Sequence, residues 1–210
     1  LNYVHVYDAL TGNLLRKLGY EELCGCRMYT EFPKLGNVTF LNPGHLVVHD
    51  GNLFVSDVGN RRVCMLNAFT GAFVREFTGV SHPRRLRVNI SNASTGELFV
   101  VDDSDDGYSE YDSAVIRVFD VLTGSLLRVI EPSKTFGNGR DVSLEGFVIL
   151  GNELTIADWD NKGVMVCEAS TGKFIRDALN GNPVTLRRVL SDNPMAPKSP
   201  EAVQFYNGKL

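Results

Sequence analysis

No apolar run in this chain comes near the ~20 residues that a membrane-spanning helix needs, and no stretch near its start reads as a signal peptide. Basic charge is not in excess. Lys and Arg number 21 against 25 Asp and Glu, a formal net charge of −4 with a pI near 5.6. That balance gives no global electrostatic pull toward nucleic acid or an anionic membrane. No tract is compositionally biased. Sustained apolar periodicity of the helical kind is also missing, which argues against alternating strand–helix units. Cysteine is scarce, with four residues. Cys24 and Cys26 are separated by one residue rather than two, and no second pair answers them, so a zinc knuckle is not indicated. Cys64 and Cys167 sit in apolar, strand-like runs where a thiol behaves as a small hydrophobe. All four are read as reduced and structural, which favours the cytoplasm. Three Asn-x-Ser/Thr triplets, at Asn37, Asn89 and Asn92, are too short a signal to argue strongly for secretion. The chain opens on Leu1 rather than Met, and the expectation is a piece of a longer polypeptide.

What the chain does have is one phrase written four times. "DALTGNLLRKL" (8–18), "NAFTGAFVREF" (67–77), "DVLTGSLLRVI" (120–130) and "EASTGKFIRDA" (168–178) place Thr11, Thr70, Thr123 and Thr171 at spacings of 59, 53 and 48 residues. Each Thr-Gly pair is followed four positions after the glycine by an arginine: Arg16, Arg75, Arg128, Arg176. Seven positions before each threonine stands an aliphatic residue: Val4, Val63, Ile116, Val164. Upstream lies a second phrase, "GNLFVSD" (51–57), "GELFVVD" (96–102) and "GNELTIAD" (151–158), each ending in aspartate. Ahead of that come "NPGHLVV" (42–48) and "HPRRLRV" (82–88), whose proline marks the start of a strand.

Each full unit therefore predicts four short strands, at 45–49, 52–57, 62–67 and 72–78 in the first complete copy. The Thr-Gly phrase is a hairpin, with Gly71 at the position needing a positive φ. Asp8, Asn67 and Asp120 are placed to fold their side chains onto the turn amides. A lone four-stranded sheet cannot bury both faces, whereas a stack of such sheets can, and four strands per ~40–50 residues point to an all-β propeller. The recurring arginine, with Lys17 beside Arg16, is expected to discourage edge-to-edge pairing of an outer strand. Asp57, Asp102 and Asp158 recur once per unit and are expected to hold the scaffold, because an active site occurs once.

"LFVSDVGNRRVCMLNAFTGAFVREF" (53–77) resembles the NHL-repeat family of β-propellers: apolar strand, Asp, Asn-x-Arg-Val, hydrophobic strand, glycine hairpin, apolar strand. The fourth copy keeps Asp158 and Asn161 but carries Lys162-Gly163 where arginine would stand. The resemblance implies one propeller domain over 1–210. It would comprise an outer hairpin at 1–19, blades at 41–79, 81–132 and 141–179, and the start of a further or closing blade at 199–210. Three whole blades and two halves imply a fragment of a larger, six-bladed ring. The family also implies candidate functions. The principal one is a non-catalytic scaffold that binds a protein or peptide through blade-connecting loops, in a ubiquitin ligase, a sensor or a scaffold protein. The runner-up is an RNA-binding propeller of a tripartite-motif ubiquitin ligase, carried by Arg84 and Arg85. The least favoured is a zinc-dependent peptide-amidating lyase. For that enzyme His45 is the one histidine near the presumed axis, and Arg85 and Ala202 stand where further ligands would be needed.

The candidate partner-binding residues are His45, Arg84 and Arg85 at one rim, and Asp105, Asp106 and Tyr108 in the acidic insertion 103–113. A calcium reading of that insertion would use Asp102, Ser104 and Asp106 with Gly107, but Ser113 stands where a terminal bidentate glutamate belongs. Phe32, Trp159 and Tyr206 are apolar candidates better read as packing residues. No catalytic residue, metal or cofactor is assigned, and no small-molecule substrate or membrane partner is expected.

Overall fold

The computed structural model describes residues 3–18, 38–92, 95–103, 114–135, 142, 144–158 and 163–177. The chain divides into two compact units, Leu1–Val88 and Asn89–Leu210, and the division falls inside a strand rather than in a linker.

The first unit opens with a two-stranded antiparallel hairpin, β1 (Val4–Tyr7) and β2 (Leu14–Leu18). A four-stranded meander follows: β3 (Pro43–His49), β4 (Asn52–Asp57), β5 (Arg62–Asn67) and β6 (Phe73–Phe77), each paired with the next in sequence. These four strands fall on the expected segments to within two residues. A second sheet runs β7 (Pro83–Asn92), β8 (Thr95–Asp102), β9 (Val115–Asp120), β10 (Leu126–Ile130). A third runs β11 (Leu144–Leu150), β12 (Glu153–Asp158), β13 (Gly163–Glu168), β14 (Phe174–Asp177). Helix among the described residues is confined to a 3-10 turn at Val58–Asn60 and one α-turn at Pro132–Thr135. The protein is thus all-β, built on a repeated four-stranded antiparallel sheet.

The Thr-Gly phrase has one geometry in all four copies. Gly12, Gly71, Gly124 and Gly172 have φ of 71, 71, 80 and 76°, where a side chain is strained. Each glycine N–H donates to the carbonyl four residues back, on Asp8, Asn67, Asp120 or Glu168. The side chain of that residue closes the turn. Asp8 Oδ1 accepts from the N–H groups of Leu10 (3.0 Å) and Thr11 (2.7 Å), Asn67 Oδ1 from Phe69 and Thr70, and Asp120 Oδ1 from Thr123 (2.6 Å). Glu168, one methylene longer, instead accepts from the Thr171 hydroxyl. Each threonine Oγ1 then accepts the N–H of the residue after the glycine. The phrase recurs because its Asx residue, in three copies, and its threonine, in all four, satisfy turn amides.

The second strand of each complete repeat is buried on both faces. Leu53, Phe54, Val55, Ser56 and Asp57 all lie inside, as do Leu154, Thr155, Ile156, Ala157 and Asp158. That explains why these strands read as continuous rather than alternating apolar runs. In the first unit, Val4 and Leu18 of the hairpin join Val38, Phe40, Leu53, Val55, Cys64 and Leu66 in one core. In the second, Phe99, Val101, Ile116, Val118 and Ile130 meet Phe147, Leu154, Ile156, Met165 and Cys167. Each such side chain contributes about 2 kcal/mol by leaving water.

Candidate functional site

The recurring polar residues hold the scaffold together. Asp57, at the end of β4, is fully buried; its Oδ1 accepts the Leu41 N–H (2.7 Å) and its Oδ2 accepts Asn60 Nδ2 and Arg62 Nε (both 2.8 Å). It ties the lead-in of β3 to the β4–β5 connection. Asp102, 1% exposed, accepts Arg117 Nε at 2.7 Å. A cation bound to Asp102 would therefore sit beside a guanidinium, which weighs against the calcium reading; Ser104, Asp106 and Gly107 lie outside the described residues.

The recurring arginine requires a correction. Expected as an exposed guard of an outer edge, at two of its four positions it instead reaches the turn of the next repeat. Arg16 Nη2 donates to the Ala68 carbonyl at 2.7 Å, and Arg128 donates through Nε and Nη2 to the Ala169 carbonyl at 3.1 and 2.9 Å. Ala68 and Ala169 occupy the same place in their turns, two residues before the threonine. Arg128 also grips Glu97 with both terminal nitrogens, and Arg176 grips Glu153 likewise. The longer reach of these side chains was not legible because sequence spacing does not show which repeat comes to lie beside which.

The non-recurring candidates behave differently. His45 lies on β3 and Arg84 and Arg85 lie on β7, within strands rather than in loops. Ser56 fixes the His45 backbone from both sides: its hydroxyl accepts the His45 N–H (2.6 Å) and donates to the His45 carbonyl (3.3 Å). Gly44 beside it leaves room for this contact, since a Cβ there would lie 3.1 Å from Ser56 Oγ. The imidazole Nδ1 accepts the Leu86 N–H of β7 at 3.3 Å. Arg87 Nη1 donates to the carbonyl of the same Leu86 at 3.0 Å. Burial holds the His45 imidazole below its ordinary range, and the charges of Arg87 and then Arg85 push it the same way. Arg87 is itself held below the usual arginine value by burial and by Arg85.

The structure thus brings His45, Arg85 and Arg87 together around Leu86, with exposed Arg84 one position before Arg85. Arg87 was the residue that sequence reasoning left out of the candidate set. Its signal is the two-residue period of a strand, which puts Arg85 and Arg87 on one face. Asp105, Asp106, Tyr108, Phe32, Trp159, Tyr206, Cys24 and Cys26 lie outside the described residues, as does the segment 199–210. Asn89, one of the three glycosylation triplets, lies within β7 with its amide 3.5 Å from the Gly151 carbonyl. Among the described residues no three His, Cys, Asp or Glu side chains converge on a metal position, and no helix is long and apolar enough to cross a membrane. Cys64 and Cys167 are buried free thiols whose pKa is pushed up to about 12, by burial in both.

No family model matches the chain, and no curated protein matches it by sequence. Among solved structures it is similar to the hydrazine synthase of Kuenenia stuttgartiensis, with a TM-score of 0.58 and 12% identity over 84% of this chain. The chain spans 42% of the length of that neighbour. In all, 256 solved chains match, and at 12% identity the likeness to that neighbour is one of fold alone.

Proposed function

We propose that the chain is part of an NHL-like β-propeller of four-stranded blades that works as a non-catalytic interaction scaffold for a protein or peptide partner. The observation that carries this reading is a division of labour among its polar residues. Those that recur, Asp57, Asp102, Arg16 and Arg128, are bonded into the sheets and turns. The cluster of His45 with the cations Arg85 and Arg87 stands outside the repeat pattern, on the first strands of two successive sheets. A rigid repeated support carrying one non-repeated cluster is how binding surfaces are built on such folds. The hairpin phrases and the 53–77 pattern support the NHL-like assignment, and closure into a ring, six-bladed by that resemblance, would give each sheet a neighbour on both faces.

The test is an unbiased peptide-display selection, with the selected binders mapped by amide shift perturbation. The reading expects perturbed amides at the start of β3 and β7. Binders that map only to the outer hairpins, or a selection that yields no binder, would contradict it.

The RNA reading rests on the same arginines. Single-stranded RNA engages an extended track of cations with stacked aromatic rings, and its affinity falls steeply with salt. The described cluster is gathered around one residue instead, which favours the peptide.

A further inference from the structure

We propose that Arg61 and Leu41 form a docking point for a partner segment in which an acidic residue stands next to an apolar one; this deepens the interaction reading above and rests on it.

Arg61 and Arg62 are neighbours with opposite fates. Arg62 is built into the sheet. Its Nε donates to Asp57, and its terminal nitrogens donate to Glu76 at 2.9 Å and to the Thr39 carbonyl at 2.8 Å. Arg61 is exposed, and among the described residues no hydrogen bond or ion pair engages its side chain. Its backbone is left-handed, with φ 54° and ψ 47°, a region that suits glycine and, less well, asparagine. The turn demands that conformation: the Arg61 N–H closes the 3-10 turn on the Val58 carbonyl at 3.1 Å and sends the chain into β5. For the fold alone, glycine serves better here. An arginine that costs stability and returns no contact points to a use outside the fold.

Leu41 is brought to the same place by contacts of its own. Its N–H donates to Asp57 Oδ1 at 2.7 Å, and its carbonyl accepts the Gly59 N–H at 2.7 Å, two residues before Arg61. The approach is so close that a Cβ on Gly59 would lie 2.4 Å from Leu41 Cγ. Asn60 adds a third tie, donating to Asp57 at 2.8 Å. The 58–61 turn is therefore pinned against residue 41, yet Leu41 remains 43% exposed. The result is an apolar side chain and an outward guanidinium on one rigid rim, just ahead of β3 and β5.

The chemistry selects the occupant. Asp57 and Glu76, the carboxylates bonded around this turn, are taken up by Leu41, Asn60 and Arg62, so the charge of Arg61 is left for an incoming group. A carboxylate meets a guanidinium in two parallel bonds, and an adjoining apolar residue covers Leu41. A phosphate or a polyanion would satisfy the arginine but leave Leu41 wet, which favours a peptide.

The experiment titrates the full chain by calorimetry with three short peptides, alternating Glu with Leu, Gln with Leu, and Glu with Ser. The Glu–Leu peptide is expected to bind, and each of the others to bind at least about fivefold more weakly. Arg61→Gly is expected to erase the preference for Glu over Gln. Its melting temperature is expected at or above that of the wild type, because glycine relieves the left-handed backbone. A melting temperature that falls in Arg61→Gly shows the arginine serving the fold and overturns the proposal, as does a Glu preference that survives the substitution. Equal binding of the Glu–Leu and Glu–Ser peptides leaves a bare charge effect and also overturns it. Dimerisation of the peptide-free chain that Arg61→Gly abolishes overturns it in favour of a second copy. Peptide affinity that rises in an E21Q/E22Q variant overturns it in favour of the chain's own preceding segment. Display-selected peptides that map to β3 and β7 but are indifferent to Arg61 sink this docking point while leaving the scaffold reading in place.

Discussion

The guanidinium of Arg128 donates two hydrogen bonds to the carbonyl of Ala169, 41 residues further along the chain, while its terminal nitrogens hold Glu97 at 2.7 and 2.8 Å. One side chain thereby joins the outer strand of one sheet to the Thr-Gly turn of the next. Arg128→Gln is expected to cost about 2 kcal/mol, because a partly buried carbonyl and Glu97 lose their charged donor together. The Arg176–Glu153 pair is about 40% exposed and is screened by salt, so Arg176→Gln is expected to cost ~0.5 kcal/mol. Chemical denaturation of both variants checks the ranking; equal costs would contradict the clasp.

Asp57 accepts from the Leu41 N–H, from Asn60 and from Arg62 at once. Asp57→Ala leaves the Leu41 N–H and Arg62 Nε without their acceptor, while the Arg62 terminal nitrogens keep Glu76 and the Thr39 carbonyl, and is expected to cost about 3 kcal/mol. Asp57→Asn keeps an acceptor oxygen and is expected to cost less. A denaturation midpoint unchanged in Asp57→Ala would remove this carboxylate from the scaffold.

Two turn glycines separate strain from collision. Gly12 and Gly172 have nearly the same positive φ, but a Cβ on Gly12 meets nothing within 4 Å, whereas one on Gly172 lies 2.6 Å from Ile130 Cγ2. Gly12→Ala is expected to cost about 1 kcal/mol from backbone strain alone, and Gly172→Ala appreciably more. Melting temperatures of the two variants, measured together, decide the matter.

His45 provides a pH dependence whose sign is fixed. Its imidazole titrates below the ordinary value of 6.5 in the fold, so the unfolded chain takes up that proton first as pH falls. Stability is therefore unaffected well above pH 6.5 and is lost as pH drops below it, until the folded imidazole also protonates. His45→Gln should remove this part of the acid loss when melting is compared at pH 8 and pH 5.5. An unchanged acid loss would mean that His45 is not held neutral by the fold.

Much of the fold was legible because the turns are written in residues with single uses. Gly71 at positive φ, and Asp8, Asn67 and Asp120 accepting turn amides, were readable from "xTG" and its preceding Asx, and the strands of the 42–77 copy followed. Local rules of this kind act within four or five residues. The arginines escaped because their partners lie far off in sequence: Arg16 donates to Ala68, 52 residues away. A guanidinium on an edge strand has the same local pattern whether it faces solvent or a neighbouring carbonyl. Of the site, His45 and Arg85 were legible as basic residues just after strand-opening prolines. Arg87 carried the two-residue strand period as its signal, but only the pairing of His45 with Leu86 brings the imidazole to that stretch of β7.

The central claim is that recurring polar residues hold the scaffold while the non-recurring cations bind. It is tested most directly by measuring the affinity of one display-selected peptide for two variants side by side, Arg128→Gln and R85Q/R87Q, below the melting range of each. Affinity close to wild type in Arg128→Gln and at least about tenfold weaker in R85Q/R87Q is the expected result. Equal losses in both variants, or a loss confined to Arg128→Gln, would contradict the account.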